Sequence, residues 1–280
     1  MTGVTRFLIG LAVFLAVAPS AASAFAAGDR EVARVTSFGG ACAKCELSGR
    51  KLAGAHFMGA NFSGAAMVGS DLRDARFIGS NFGGADLSRA DLSDSEIIGA
   101  NFSSANLSSA RLRDTEARGV NFASANLTKA DLSDAEATGS NFSKAVLQGA
   151  NLRGASLNGV NLSRVEARGA DFRDAELTGA VLSSGNFDKA LFRDAGLSGA
   201  VLVGGSFNGA DFNDADLRRT VITGVDLSRA RGLDQDQLDE ACADSRTKVP
   251  SGLVAKTCSG VRFISRESRP SRVRVVVPPA

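Results

Sequence analysis

Residues 80–104 read S-N-F-G-G, A-D-L-S-R, A-D-L-S-D, S-E-I-I-G and A-N-F-S-S, a chain cut into units of five. Each unit carries one large apolar residue (Phe82, Leu87, Leu92, Ile97, Phe102), with a small one two places ahead of it (Ser80, Ala85, Ala90, Ser95, Ala100). Followed outward, the apolar row runs without a slip from Leu47 to Leu227, thirty-seven consecutive units. A period of five matches neither the 3.6 of a helix nor the 2.0 of a strand, so neither element could bury the row on one face. It suits a chain that turns a corner after each unit and sends one large and one small side chain inward. Repeats of this kind stack into a solenoid, stabilised by neighbour-on-neighbour contact rather than by a globular interior.

A second period lies over the first. The string G-x-N-F recurs at 79–82, 99–102, 119–122 and 139–142, a step of twenty residues or four units. With four units per coil, Phe62, Phe82, Phe102, Phe122 and Phe142 stand above one another on one inner wall. Another wall reads Leu72, Leu92, Leu112, Leu132 and Leu152, then Phe172, Phe192 and Phe212. A third column, from Gly59 in steps of twenty to Gly199, marks a corner where positive φ is expected. Nine coils at ~4.8 Å each predict a rod ~45 Å long.

The units A-N-F-S-G (60–64), A-D-L-S-R (85–89), A-D-L-S-D (90–94) and A-N-L-T-K (125–129) resemble the pentapeptide-repeat family, whose consensus is A-[D/N]-[L/F]-x-x. The resemblance covers residues 45–229 and implies an all-β fold, a right-handed quadrilateral parallel β-helix. The flanks read as separate segments. Arg6, the apolar run Phe7–Val17 and Ala22-Ser23-Ala24 form an export leader, residues 1–24, with cleavage after Ala24 or Ala26. Residues 25–44 form an N-terminal cap, in which Arg30–Gly40 pairs with or covers the first coil. Residues 230–258 form a C-terminal cap. There Asp234 is the N-cap of a short helix from Gln235 to about Ala243, Gln237 completes a capping box, and Leu233 staples against Leu238. Residues 259–280 form a basic tail with Arg262, Arg266, Arg269, Arg272 and Arg274 against Glu267 alone.

The four cysteines fall in two pairs at opposite ends of the rod, Cys42 with Cys45 and Cys242 with Cys258. In an exported chain this separation predicts one disulfide at each end and excludes a four-cysteine metal site. A redox role for Cys42/Cys45 is the alternative, though the thioredoxin-type setting is missing.

Ingredients for catalysis are sparse. His56 is the only histidine, and it precedes an inward Phe; no glycine-rich phosphate loop is present. No cofactor and no metal centre are expected. Wrapping the chain at twenty exposes one sorted outer feature instead. Asp74, Asp94, Asp114, Asp134, Asp174, Asp194 and Asp214 share a column broken by Gly154, and Glu96, Glu116, Glu136, Glu176 and Asp216 share the one beside it. Arg73, Arg113, Arg153, Arg173 and Arg193 precede the Asp column, while another outer row with Arg89, Lys129, Arg168, Lys189 and Arg229 is basic. Turn chemistry explains the Asp column in the plainer reading, with Asp accepting backbone hydrogen bonds at corners. In the sharper reading it is a strip for a basic partner or for divalent cations. The Asn column (Asn61, Asn81, Asn101, Asn121, Asn141, Asn161) predicts a ladder of stacked amides.

These features point to a periplasmic or secreted, non-enzymatic scaffold: a rigid rod for a protein or cell-envelope partner, with side-by-side homodimers open to it. The resemblance offers an alternative, since some family members are acidic rods that mimic DNA and protect a topoisomerase. Residues 45–229 hold 22 acidic and 19 basic residues, a poor imitation of a polyanion, and the chain as a whole carries +2. That balance also argues against nucleic acid as a partner.

Overall fold

The computed structural model describes residues 36–258. The segment expected to be an export leader (1–24), residues 25–35 of the expected N-terminal cap and the basic tail (259–280) lie outside the described residues. Parallel bridges join residues twenty apart along the chain, from Ala41–Asn61 to Asp211–Arg231. Each coil bridges at four places: Asn81, Asp86, Asp91 and Glu96 lie beside Asn101, Asn106, Arg111 and Glu116 of the next. The coil is therefore four-sided, one unit per side. Named by their inward residues, wall 1 holds Phe62, wall 2 Met67, wall 3 Leu72 and wall 4 Phe77, each repeated every twenty residues. Among the described residues most sides are too short to count as strands; β1 (Thr36–Phe38) and β2 (His56–Met58) are long enough, paired in parallel with Thr36 opposite His56.

One unit shows why the chain folds this way. In Asn101–Ala105 all five N–H groups find acceptors. Asn101 donates to Ser80 O (2.9 Å) on the preceding coil, whereas Phe102 and Ser104 donate to Asn121 O (2.7 Å) and Ala123 O (2.9 Å) on the following one. Ala105 closes the turn on Phe102 O at 3.1 Å. The remaining N–H, on Ser103, goes to the side chain of Asn101 at 3.1 Å. Asn or Asp before the inward residue is thus the acceptor that completes the accounting. The third turn residue is left-handed at all thirty-seven positions from Lys44 to Gly224, with φ between 54° and 70°. A positive φ at that place defines a type II turn and favours Gly, Asn or Asp.

Inside, columns of like side chains stack. Ring centroids are 5.0 Å apart for Phe62–Phe82, 4.6 Å for Phe82–Phe102, 5.4 Å for Phe102–Phe122 and 4.8 Å for Phe122–Phe142. After Phe142, wall 1 turns to Leu162, Leu182 and Leu202 while wall 3 turns from Leu152 to Phe172, Phe192 and Phe212. Opposite walls trade ring for aliphatic at the same level, which keeps the cross-section filled. The small inner positions compensate in the same way. Gly185 sits ahead of Phe187, and a Cβ there would lie 2.6 Å from the Phe187 ring. One coil earlier, wall 2 has Val165 ahead of Ala167, both buried. Several buried hydroxyls bond to the backbone, as where Ser140 Oγ donates to Ala117 O at 2.6 Å and accepts from Val120 N at 2.9 Å, whereas Ser95 Oγ has no partner among the described residues.

The ends depart from the expected boundaries. Residues 36–44 pair with the first coil, one of the two expected arrangements, and so extend it below residue 45: β1 joins β2, and Cys42 occupies an inward, partly buried position with its N–H on Asn61 O at 2.7 Å. At the other end α1 spans Gln235–Glu240, with the expected capping box between Asp234 and Gln237. It stops short of Ala243 because the chain rejoins the ladder, where Cys242 pairs with Val221 and Lys248 with Asp226. Leu238 is fully buried, and Leu233 packs against the same core. The lid also covers open backbone: Gln237 Nε2 donates to Phe212 O and Ala215 O, each at 2.9 Å. Disulfides join Cys42–Cys45 and Cys242–Cys258, as the pairing argument requires.

Acid should loosen this C-terminal end first. Hydrogen bonds from the Ser228 hydroxyl and backbone, then from Lys248, lower Asp226 to about 2. Desolvation raises Asp244, but bonds from Gly224, Arg246 and Thr247 outweigh it and bring that carboxyl to about 2. Free aspartate titrates near ~3.9, so this contribution is present above about pH 4 and is lost as pH falls through about 2. Hydrogen exchange of residues 220–258, corrected for intrinsic rates, should outpace that of the central coils over this window. Asp226→Asn with Asp244→Asn should remove the difference, and a cap as acid-resistant as the middle would contradict the assignment.

Candidate interaction surface

The outer residues of walls 3 and 4 and the corner between them form the charged ribbon. Two columns share the work there. The residues before the inward position on wall 3 (Asp71, Asp91, Asp131, Asp171, Asp211) accept turn N–H groups, as in Ser93 N to Asp91 at 3.1 Å and Arg173 N to Asp171 at 3.1 Å. They also take most of the arginines. Arg73 reaches Asp71 at 2.8 Å, Arg113 reaches Asp131 at 3.7 Å, Arg173 reaches Asp171 at 2.5 Å and Arg193 reaches Asp211 at 2.7 Å. The Arg73 side chain holds the Asp71 carboxyl below its ordinary value, and that pairing in turn raises Arg73.

The plainer reading of the corner Asp column therefore needs a correction. Asp74, Asp94, Asp114, Asp134, Asp174, Asp194 and Asp214 do sit at turns, all left-handed with φ of 54–59°. Backbone acceptance, however, belongs to the Asp71 column, which lies close enough to the turn N–H. The corner Asp residues serve the turn through their tolerance of positive φ. Of the preceding arginines, Arg153 alone makes an ion pair with this column, to Asp174 at 2.9 Å. No hydrogen bond or ion pair from a described residue reaches the carboxylates of Asp94, Asp114 or Asp194.

The break at Gly154 also has a physical cause. The Asp134 carboxylate leans onto the next coil, so a Cβ at residue 154 would strike its Oδ1. Around the break lies a shallow depression of about 510 Å³, lined by Arg113, Asp131, Asp134, Arg153 and Asp174 among others. The Glu column on wall 4 is largely paired: Glu96 with Arg76 at 2.8 Å, Glu116 and Glu136 with Arg118 at 2.7 and 2.5 Å, Asp216 with Arg218 at 2.6 Å. Glu176 accepts from Asn158 at 2.9 Å. Among the described residues no three His, Cys, Asp or Glu side chains converge as a metal site, and no helix is long and apolar enough to cross a membrane.

The expected amide ladder runs from Asn61 to Asn141, with Nδ2–Oδ1 distances of 3.3, 2.9, 3.0 and 3.2 Å, and stops before Asn161. The basic row needs one adjustment. Arg89, Lys129 and Lys189 share a left-handed corner of wall 2, and Arg229 follows them in step, but Arg168 lies one residue ahead of the column.

Models of the family described as pentapeptide repeats match residues 42–77, 70–108, 105–143, 125–164 and 155–194, and a further pentapeptide-repeat model matches 187–231. The chain belongs to the pentapeptide-repeat family. Membership implies the right-handed quadrilateral β-helix that the twenty-residue ladder already outlines. Among solved structures, this pentapeptide-repeat protein is similar to HetL, involved in heterocyst differentiation regulation in the cyanobacterium Nostoc sp. strain PCC 7120. The two share 28% identity over 74% of this chain and 92% of HetL, with a TM-score of 0.66. QnrB1, a plasmid-mediated fluoroquinolone resistance protein, aligns at 24% identity over 77% of this chain and 93% of its own, with a TM-score of 0.30. A pentapeptide repeat protein of the Arabidopsis thaliana thylakoid lumen aligns at 32% identity over 38% of this chain and 70% of its own, also with a TM-score of 0.30. No curated protein matches in sequence.

Proposed function

We propose that this pentapeptide-repeat protein is an exported, non-enzymatic interaction scaffold whose wall 3–wall 4 corner docks a basic surface of a protein or cell-envelope partner. One observation carries the reading: a line of exposed corner carboxylates without partners at Asp94, Asp114 and Asp194, beside arginines engaged elsewhere. Aligned like charges one coil apart are unfavourable, and a basic partner would relieve them. The leader read at residues 1–24 supports a periplasmic or secreted site of action. The DNA-mimic alternative is weaker, because interleaved arginines neutralise most of the ribbon.

The experiment pairs two readouts. Cell fractionation with N-terminal sequencing should find the mature chain outside the cytoplasm, beginning after residue 24 or 26; cytoplasmic retention with an intact leader would favour the alternative. Envelope crosslinking should then be compared between the native chain and the triple variant Asp94→Asn, Asp114→Asn, Asp134→Asn. Asn keeps the left-handed turns, so the fold should hold while capture of the specific partner falls by about tenfold or more. Equal capture by both proteins would reject the docking strip.

A further inference from the structure

The corner between walls 1 and 2 carries the opposite chemistry. Lys144 and Arg164 stand there on successive coils, both left-handed with φ of 60° and 59°. Neither makes an ion pair with any described residue. The fold does not require cations at these turns, since the same corner is built from Gly84, Ser104 and Ser124 before them and from Ser184 and Gly204 after them. Two cations one coil apart, at ~4.8 Å of rise, repel each other, and bulky side chains at positive φ add strain.

The surroundings offer donors and no counter-charge. Lys144 and Arg164 line a depression of about 350 Å³ with Ser143, Asn161, Ser163 and Ser183, and no carboxylate lines it. The depression on wall 3, by contrast, mixes its two arginines with Asp131, Asp134 and Asp174. The amide ladder fails at the same place. Asn161 Oδ1 is taken by the Ser163 N–H at 3.0 Å, while its Nδ2 has no described acceptor, and Val181 replaces the next Asn. The Asn161 amide thus leaves its two Nδ2 donors open to the cleft.

We propose that this cleft binds a tetrahedral oxyanion, a phosphate or sulfate group, with Lys144 and Arg164 supplying charge and the Asn161 amide and serine hydroxyls supplying hydrogen bonds. Such charge-assisted donors are the standard means of holding phosphoryl oxygens. The site lies on a different corner from the acidic ribbon, so it stands or falls independently of the docking reading above.

The test follows backbone amide shifts of the full chain during titration with inorganic phosphate, against sodium chloride at equal ionic strength. The expected result is a saturable response confined to residues 143–144, 161–164 and 183–184. Lys144→Asn with Arg164→Asn should weaken it about tenfold or more, through loss of charge-assisted bonds. Asn is at ease in left-handed turns, so this variant should be at least as stable as the native chain, and weakened binding could not be blamed on unfolding. Phosphatidylcholine vesicles with and without phosphatidic acid distinguish the source: binding that needs phosphatidic acid and yields to free phosphate assigns a lipid headgroup, whereas a response to free phosphate alone assigns a soluble anion. A response that matches chloride, spreads over all exposed cations or survives the double substitution overturns the proposal.

Discussion

Gly185→Ala is expected to destabilise the rod by about 2–3 kcal/mol, because the added methyl has nowhere to go. Its Cβ would lie 2.6 Å from one edge atom of the Phe187 ring, 3.1 Å from another and 3.2 Å from Val165. The ring cannot simply swing aside. It stacks on Phe207 at 5.2 Å and meets Phe172 and Phe192 at 6.1 and 5.9 Å. The double variant Gly185→Ala with Phe187→Leu should recover most of the loss, since it rebuilds the Ala-x-Leu unit buried at Ala145–Leu147. Denaturant melts of the four proteins in this cycle give the coupling. Additive losses would show that the two positions do not share space.

Phe122→Ala should cost about 4–5 kcal/mol, the upper part of the range for a buried phenyl. The ring stacks on Phe102 at 5.4 Å and on Phe142 at 4.8 Å. The neighbouring inward residues on wall 4, Ala117 and Ala137, are too small to fill the hole. A solenoid is held by nearest-neighbour contacts, so the cavity should also weaken coupling between the two halves of the rod. The unfolding curve should split into two transitions. A single cooperative transition displaced by less than about 1 kcal/mol would contradict the stacked-column core.

Much of this fold was legible because each unit repeats one physical solution. The inward row, the small residues ahead of it and the twenty-residue step all follow from Leu47 to Leu227 alone. The capping box at Asp234 and Gln237 was equally readable, since it depends on two local side chains. The inner compensations were harder to see. The Gly185–Phe187 pair looks like ordinary variation until the ring's position is known. The helix end was misjudged because nothing local marks the return of Cys242 to a ladder whose partner, Val221, is 21 residues away.

The surface was read less completely. Column membership gave the acidic ribbon, but column position alone did not say which carboxylates the arginines choose. Asp71 and Asp171 win Arg73 and Arg173 because alternate residues of one side point the same way out of the wall. Asp74 and Asp174 sit beyond the bend. The signal was available in the sequence as D-x-R at 71–73 and 171–173. The donor cleft at Lys144 and Arg164 left no motif, since its meaning lies in the absence of an acid nearby and in a ladder that breaks at Asn161.

Every surface assignment depends on columns that advance one coil per twenty residues. Spin labels at positions 113 and 213, two exposed sites on the outside of wall 3, test that advance directly by pulsed dipolar spectroscopy. Five coils separate them, and a rise of ~4.8 Å per coil gives one narrow distance near ~24 Å between backbone positions. A broad distribution, or a mean that no five-coil separation can produce, would contradict the stacked rod and the faces built on it.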